Sequence, residues 1–416
     1  MKRYATDRSK TGPKPVERVE VREGSVKKRV ILLIVAVLVA LGAFYYGISS
    51  LTRVAGGWRV IEATSASEMN CAQDFVFQYF LGGSGVNAAA ENKALSMLYT
   101  KATEQAYQIF NSREASLEHH NLYYLNRSIN QPVQVPRALY EALALIEKTG
   151  SRYIYLGPAL QEYHSLFFCT EDWETEGFDP YQNEDVKIFL QTVADFAADP
   201  GHVQVALLGN DTVQLNVSDE YQAFARENGV TDYLDLYILQ DAFILDYLAD
   251  TMEENGYTRG MISSYDGYTR CLSDEGLEYS CPFYSPVDAR NVQMAAQVNY
   301  PGGTSLVHFH QMRLQTQKEL YYYQFQNGDT RHAYLDEKDG LCKAALPVLM
   351  GTSHRLGCAE TAMRLLPFFA ADTLDEAGLK ALESQGIYPL YALNGVFTTA
   401  DRAVSLDKLA EGYQAP

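Results

Sequence analysis

The chain reads as an α+β protein with a largely antiparallel sheet, preceded by one membrane-spanning helix. Three observations carry this reading. Strand-like and helical segments come in mixed order, adjacent strands are often joined by tight turns, and one long apolar stretch stands near the N-terminus. With 416 residues, 47% hydrophobic and 21% charged, the chain is neither disordered nor collagen-like and has ample length to bury a core.

Val30 to Thr52 contains 23 residues without a charge, flanked by Lys27, Lys28 and Arg29 on one side and Arg53 on the other. As a helix it covers about 34 Å, enough for a hydrocarbon core of about 30 Å. It is longer than the apolar region of a signal peptide, lacks a closing A-x-A site, and the first cysteine, Cys71, is too distant for a lipoprotein anchor. Residues 1–29 carry ten Lys/Arg and four Asp/Glu, so the positive-inside rule places this tail in the cytoplasm and residues 53–416 outside, anchored in the cell membrane by a single pass. The whole chain has a formal charge of −18, and everything after residue 29 is more acidic still. That balance argues against nucleic acid as a partner.

Beyond a short link at 53–57 no Pro-rich linker, repeat or low-complexity stretch marks another boundary, and 58–416 reads as one extracytoplasmic domain. Phe75 to Phe80 is an aromatic-rich strand, and Ala88 to Phe110 has apolar positions at helical spacing. A helix from Pro136 to Lys148 is punctuated by proline at its start and Gly150 past its end. Another helix covers about Asp185 to Ala198. Val203 to Leu208 and Thr212 to Val217 form a hairpin around Gly209-Asn210-Asp211. A long helix, about Leu236 to Glu254, precedes a strand at Gly260 to Ser264. Strands follow within 291–327 and at 344–350, then helices at 358–370 and 375–384 and a terminal strand in IYPLYALNG.

All six cysteines (71, 169, 271, 281, 342, 358) lie in the exported part, where disulfides are permitted. None has C-x-x-C spacing; Cys271 and Cys281 could close a short loop, and small buried thiols are the plainer reading. His308 and His310 point to one face of a strand, a geometry that can hold a metal, without an evident third ligand. His119-His120 reads as loop. Nucleophile elbows, P-loops, H-E-x-x-H and dinucleotide fingerprints do not occur in the sequence.

Several motifs resemble the ApbE-type FAD:protein FMN transferases, the thiamine biosynthesis lipoprotein family, over about residues 73–413. Ser112 to Asn126 and the following QPVQVPRALYEALALIEKTG resemble an early family passage. The family's D-L-G-G-I-A-K-G-Y-A-V-D is met at 235–246 by DLYILQDAFILD, with Asp235, Leu236 and Asp246 matching and Phe243 in the aromatic place. Its two glycines are Tyr237 and Ile238, its lysine is Asp241 and its last glycine Ala242. N-L-G-G-D is met by ISSYDG, which keeps Asp266 and Gly267 adjacent. H-I-I-D-P-x-T-G is met by HAYLDEKDG, with His332, Asp336 and Gly340. In the late metal motif Glu360 stands for the Asp and Arg364 for the Thr.

The resemblance implies an ApbE-like, T-fold-like domain with a mixed, largely antiparallel sheet and packed helices. It implies FAD and Mg²⁺ as ligands and an exported flavin-acceptor protein as partner, FMN passing to a Thr or Ser hydroxyl. His332 would be the general base, Asp241 would stand in the catalytic lysine's place, and Glu360 would hold the metal. Asp235, Asp246, Asp266, Gly267 and Asp336 would frame the cofactor. Such phosphoryl transfer rests on positioning and charge neutralisation. Asp241 sets a negative side chain where the ligand is negative, and Tyr237 and Ile238 fill space that glycine leaves open. Asp241 and Arg364 are therefore expected to pair with each other in place of lysine and metal. Three functions stay open: a flavin transferase with weakened activity, a non-catalytic binding or scaffold protein, and an envelope protein whose tyrosine-lined groove holds another aromatic or sugar-like ligand.

Overall fold

The computed structural model describes residues 31, 34–35, 37, 39–40 and 56–416, apart from 65–68, 84, 86, 117, 275, 289–290 and 315–320. The chain divides into two units, residues 1–54 and 55–416, and every sheet belongs to the second. Of the apolar stretch 30–52, the described residues are Ile31, Ile34, Val35, Val37, Val39 and Ala40, all helical and exposed; the rest of it and the basic tail lie outside the described residues. Among the described residues no helix is long and apolar enough to cross a membrane.

The main sheet has eight strands: β1 (Gly57–Ile61), β2 (Phe75–Leu81), β3 (Gly260–Ser264), β4 (Tyr268–Cys271), β5 (Ser305–His310), β6 (Val348–Ser353), β7 (Tyr388–Leu393) and β8 (Val396–Thr398). They lie side by side in chain order, and every neighbouring pair is antiparallel. The first strand begins at Gly57, inside the stretch read as a link, and pairs with β2.

Excursions between these strands build the rest. Between β2 and β3 run α1 (Ala88–Phe110), α2 (Leu122–Arg127), α3 (Arg137–Thr149), α4 (Gly157–His164), α5 (Glu184–Ala198), α6 (Asp219–Glu227) and α7 (Gln240–Glu254), with a small sheet of Pro132–Gln134, Thr212–Val217 and Val203–Gly209. Its hairpin turn has Asn210 and Asp211 both at positive φ, as a two-residue turn matched to strand twist demands. The hairpin Glu278–Pro286 and Val292–Pro301 follows β4 and pairs with Ser405–Asp407. A short ribbon, Tyr322–Gln324 with Thr330–His332, follows β5, and α8 (Cys358–Phe369) and α9 (Glu376–Ala381) follow β6.

Helices α7 and α8 pack on β3 to β6, while Tyr279, Phe283, Val298 and Tyr300 of the hairpin join Leu306, Met350, Leu390 and Phe397 in a second core. Strands β5 and β6 are consequently buried at every residue, which is why their sequences do not alternate. Sequence expectations hold closely for α1, α3 and α5, each with its cap: Asn87, Gly150 at φ +73° and Asn183. The long helix expected from Leu236 starts at Gln240, after a 3₁₀ turn at Tyr237–Leu239. The strand expected at 344–350 sits at Val348–Ser353, and the helix expected at 375–384 stops at Ala381 before a 3₁₀ turn.

Candidate ligand-binding cleft

Segment 235–246 links two separate clefts. At its start, Asp235 is 2% exposed, and its Oδ1 accepts hydrogen bonds from the Tyr237 N–H (2.9 Å) and the Ser112 hydroxyl (3.2 Å). That bond turns the backbone sharply, and Tyr237 adopts φ +45°. A bulky aromatic residue in the left-handed region is a true outlier, strained by about 1–2 kcal/mol. What holds it is its side chain, buried with its hydroxyl 2.8 Å from His164 Nδ1 and its ring edge-to-face with His164 and Tyr321. Burial, aided by the nearby Arg113 charge, pushes the His164 pKa down to about 4, so the imidazole is neutral. The next carbonyl, of Ile238, accepts the Tyr268 hydroxyl at 2.9 Å. Over this turn lies a cavity of about 280 Å³ lined by Asp74, Tyr107, Asn111, Arg113, Glu114, His164, Asp235, Tyr237, Gln240, Asp241 and Tyr321.

At the other end of the segment Asp246 faces a groove of about 600 Å³ between α1, α3 and α7, whose walls also include Asp250, Arg270 and Glu360. Its two carboxylate oxygens accept the Cys358 and Ala359 N–H groups at 2.8 and 2.9 Å and so cap α8 from a neighbouring helix. Gly357 makes this possible, since a Cβ there would stand 2.3 Å from the Asp246 carboxylate. Burial outweighs the Arg270 charge and the two N–H groups and pushes the Asp246 pKa up to about 6.

The two clefts share no lining residue, so Asp241 and Glu360 do not converge. Glu360 is held by Arg364 from the same helix (2.8 Å) and by Lys148 (3.4 Å), and Arg364 also donates to Gln385. This corrects the expectation of an Asp241–Arg364 pair: four residues apart on one helix, Glu360 is within easy reach of Arg364, whereas Asp241 belongs to the other cleft. His332 lies in neither cleft. It is buried against Tyr334 and Phe369 with Cys342 Sγ 3.5 Å from its Nδ1, and burial with its neighbours His310 and Arg331 lowers its pKa to about 3. Asp336 anchors a turn, accepting the Lys338 N–H and the Lys343 ammonium, which also reaches Asp339 and Asp372. Asp266 and Gly267 form the β3–β4 turn; Gly267 has φ +96°, and a Cβ there would meet the His308 carbonyl at 2.4 Å.

No family model and no curated protein matches the chain. Among solved structures, that of an ApbE protein from Thermotoga maritima superposes with a TM-score of 0.51 at 14% identity, covering 80% of this chain and 94% of that one. The chain has the ApbE fold. Flavin transferases ApbE from Vibrio cholerae and Pseudomonas stutzeri also align, each at 12% identity and TM-score 0.48, over 80% and 85% of this chain and 92% and 95% of theirs. The ApbE-like, largely antiparallel sheet expected from the motifs is thus present. Tyr237, set by the motif resemblance at a glycine of the signature, has a backbone that glycine favours.

His308 and His310 do share a strand face, with rings 5.1 Å apart, but His310 bonds the Met312 carbonyl and stacks on Tyr322, while His308 stacks on Phe283. Among the described residues no group of three His, Cys, Asp or Glu side chains forms a metal site. All six cysteines are free thiols. Sequence reasoning missed His164 and Tyr321. Neither sits in a motif, and only the tertiary packing of α4 beside the 237 turn brings them to the cleft.

Proposed function

We propose that the protein is a membrane-anchored, extracytoplasmic relative of the FAD:protein FMN transferases in which FMN transfer is weakened or lost, the cleft over Asp235 serving as a binding site. One observation carries the reading: Tyr237, which the motif resemblance sets at a signature glycine, has a positive φ and places a hydrogen-bonded aromatic side chain in the cleft wall. The residues present do not fit a flavin pyrophosphate with its divalent cation. Asp241 would face the phosphates with like charge, Glu360 is engaged by Lys148 and Arg364, and the Ile238 carbonyl is engaged by Tyr268. The uncharged stretch 30–52 behind a basic tail supports a single-pass anchor with the N-terminus in the cytoplasm. An exported acceptor protein would be the partner only where transfer survives.

The full chain, purified in detergent, is titrated with FAD with and without Mg²⁺ and followed by flavin fluorescence, beside a Thr-containing acceptor weighed for covalent FMN. The expected result is no saturable binding into the hundreds of micromolar and no added mass. Tight Mg²⁺-dependent binding with an acceptor heavier by one FMN overturns the reading. Tyr237→Gly should raise FAD affinity if the side chain is the obstruction.

A further inference from the structure

The first two strands of the main sheet are covered unequally on their two faces. On one face Phe77 and Tyr79 are buried, Phe77 against Tyr99 of α1. Strand pairing sets Trp58 beside Phe80 and Val60 beside Gln78 on the other face. There Trp58 is 43% and Val60 55% exposed, and Val76 and Phe80 are half-buried. The Trp58 ring is nevertheless held in place, standing edge-on to Phe80 and to Tyr279 at 5.6 Å each. The Arg259 guanidinium lies 4.7 Å over the Phe80 ring, with its charge balanced by Asp274 at 2.9 Å. An exposed tryptophan and valine braced by Phe, Tyr and Arg form the kind of side-chain set that sits at a membrane–water boundary, with apolar bodies inward and polar tips toward water.

Position along the chain selects what covers this face. The uncharged stretch ends at Thr52, six residues before Trp58, and so short a connection spans at most about 21 Å even when fully extended. The lipid interface is therefore within reach of β1. Because the chain carries a formal charge of −18, an attraction to lipid has to be apolar rather than electrostatic, and Trp58 and Val60 supply it. We propose that the exposed face of β1 and β2, led by Trp58 and Val60, rests on the extracytoplasmic leaflet of the cell membrane as a second, apolar contact beside the anchor. The inference rests on the reading of residues 30–52 as a membrane span.

The chain has two tryptophans, and the other, Trp173, is 75% exposed, so Trp173→Phe leaves Trp58 as the single fluorophore and Trp58→Phe leaves Trp173. Both full-length variants are reconstituted in phosphatidylcholine vesicles whose acyl chains are brominated close to the head group. Trp58 should emit at shorter wavelength than Trp173 and lose most of its emission to the bromines, while Trp173 keeps its own. The quenching should survive about 1 M salt, where the Debye length is only about 3 Å. Val60→Asp, added to the Trp173→Phe chain, leaves the tether and Trp58 in place and sets a charge on the face, and should reduce the quenching at least about twofold. Trp58 quenched no more than Trp173, quenching indifferent to Val60→Asp, or quenching abolished by salt overturns the inference. A blue-shifted but unquenched Trp58 in chains that cross-link as pairs would assign the face to a second copy joined at the β1 edge, and would overturn it too. Carbonate extraction of the same vesicles reads the anchor separately. A chain that resists extraction with Trp58 unquenched overturns this inference alone, and a chain that is extracted although its Trp58 had been quenched overturns the anchored reading alone.

Discussion

The two ends of segment 235–246 both begin from matching letters of the ApbE signature and behave oppositely in the structure. At Asp246 the side chain is architectural: it caps α8 while also lining the groove shared with Glu360. At Tyr237, two residues past the matching Asp235, the letter differs, the backbone adopts a left-handed turn at a cost in strain, and a cavity stands over it. A residue that matches the signature can therefore serve the scaffold, and one that differs from it can stand at a cavity. Burial also acts in opposite directions at the two ends. Asp246 is a carboxylate pushed up to about 6, whereas His164, which steadies Tyr237, is an imidazole pushed down to about 4.

The largest effect expected of this comparison lies at the architectural end. Asp246→Ala leaves two buried N–H groups of α8 without acceptors, and urea unfolding followed by circular dichroism should show a loss of about 4 kcal/mol. An effect under about 1 kcal/mol would mean that water replaces the cap and that Asp246 is free for another role.

The pH dependence separates the ends next. The native state holds the Asp246 proton more tightly than the unfolded chain between about pH 4 and 6, so its contribution to stability falls as pH rises through that window. His164 is protonated in the unfolded chain and neutral in the fold between about pH 4 and 6.5, so its contribution rises with pH there. Each full shift is worth about 3 kcal/mol. The cost of Asp246→Ala should therefore shrink as pH is raised, and that of His164→Phe should shrink as pH is lowered. Parallel trends would show that one of the two groups is not desolvated as the packing implies. A smaller effect attaches to the hydroxyl alone: Tyr237→Phe removes the partner of His164 Nδ1 and should cost about 1.5 kcal/mol in the same unfolding assay.

Much of this scaffold is legible in the sequence and little of the cleft is. Helices α1, α3 and α5 and the 203–217 hairpin announce themselves through amphipathic spacing, caps and turn residues. Helix α4 does not, because Gly157-Pro158 reads as a turn and nearly every residue through His164 is buried, which erases the helical period. The strand Glu278–Pro286 is disguised by Pro282, tolerated because among the described residues this strand forms the edge of its three-stranded sheet. Helix α6 carried a readable signal, Ser218 before two acidic residues, with its side chain accepting the Tyr221 N–H. For the site, the motif letters locate the 235–246 segment and the Asp266-Gly267 turn. They do not tell that Asp241 and Glu360 face different clefts, since a position on a helix becomes a direction only after the helices pack.

The smallest predicted effect belongs to Arg364. It is partly exposed and its main partner, Glu360, keeps Lys148 when the arginine is removed, so Arg364→Ala should cost only about 0.5 kcal/mol. Had Arg364 replaced metal and lysine by pairing with Asp241, removing it would strand a buried carboxylate, and the two positions would be strongly coupled. With the residues in separate clefts, the stabilities of Asp241→Asn and Arg364→Ala should add in the double variant to within about 0.5 kcal/mol. A coupling energy above about 1 kcal/mol would restore the pair and, with it, the view that both ends of the signature serve one site.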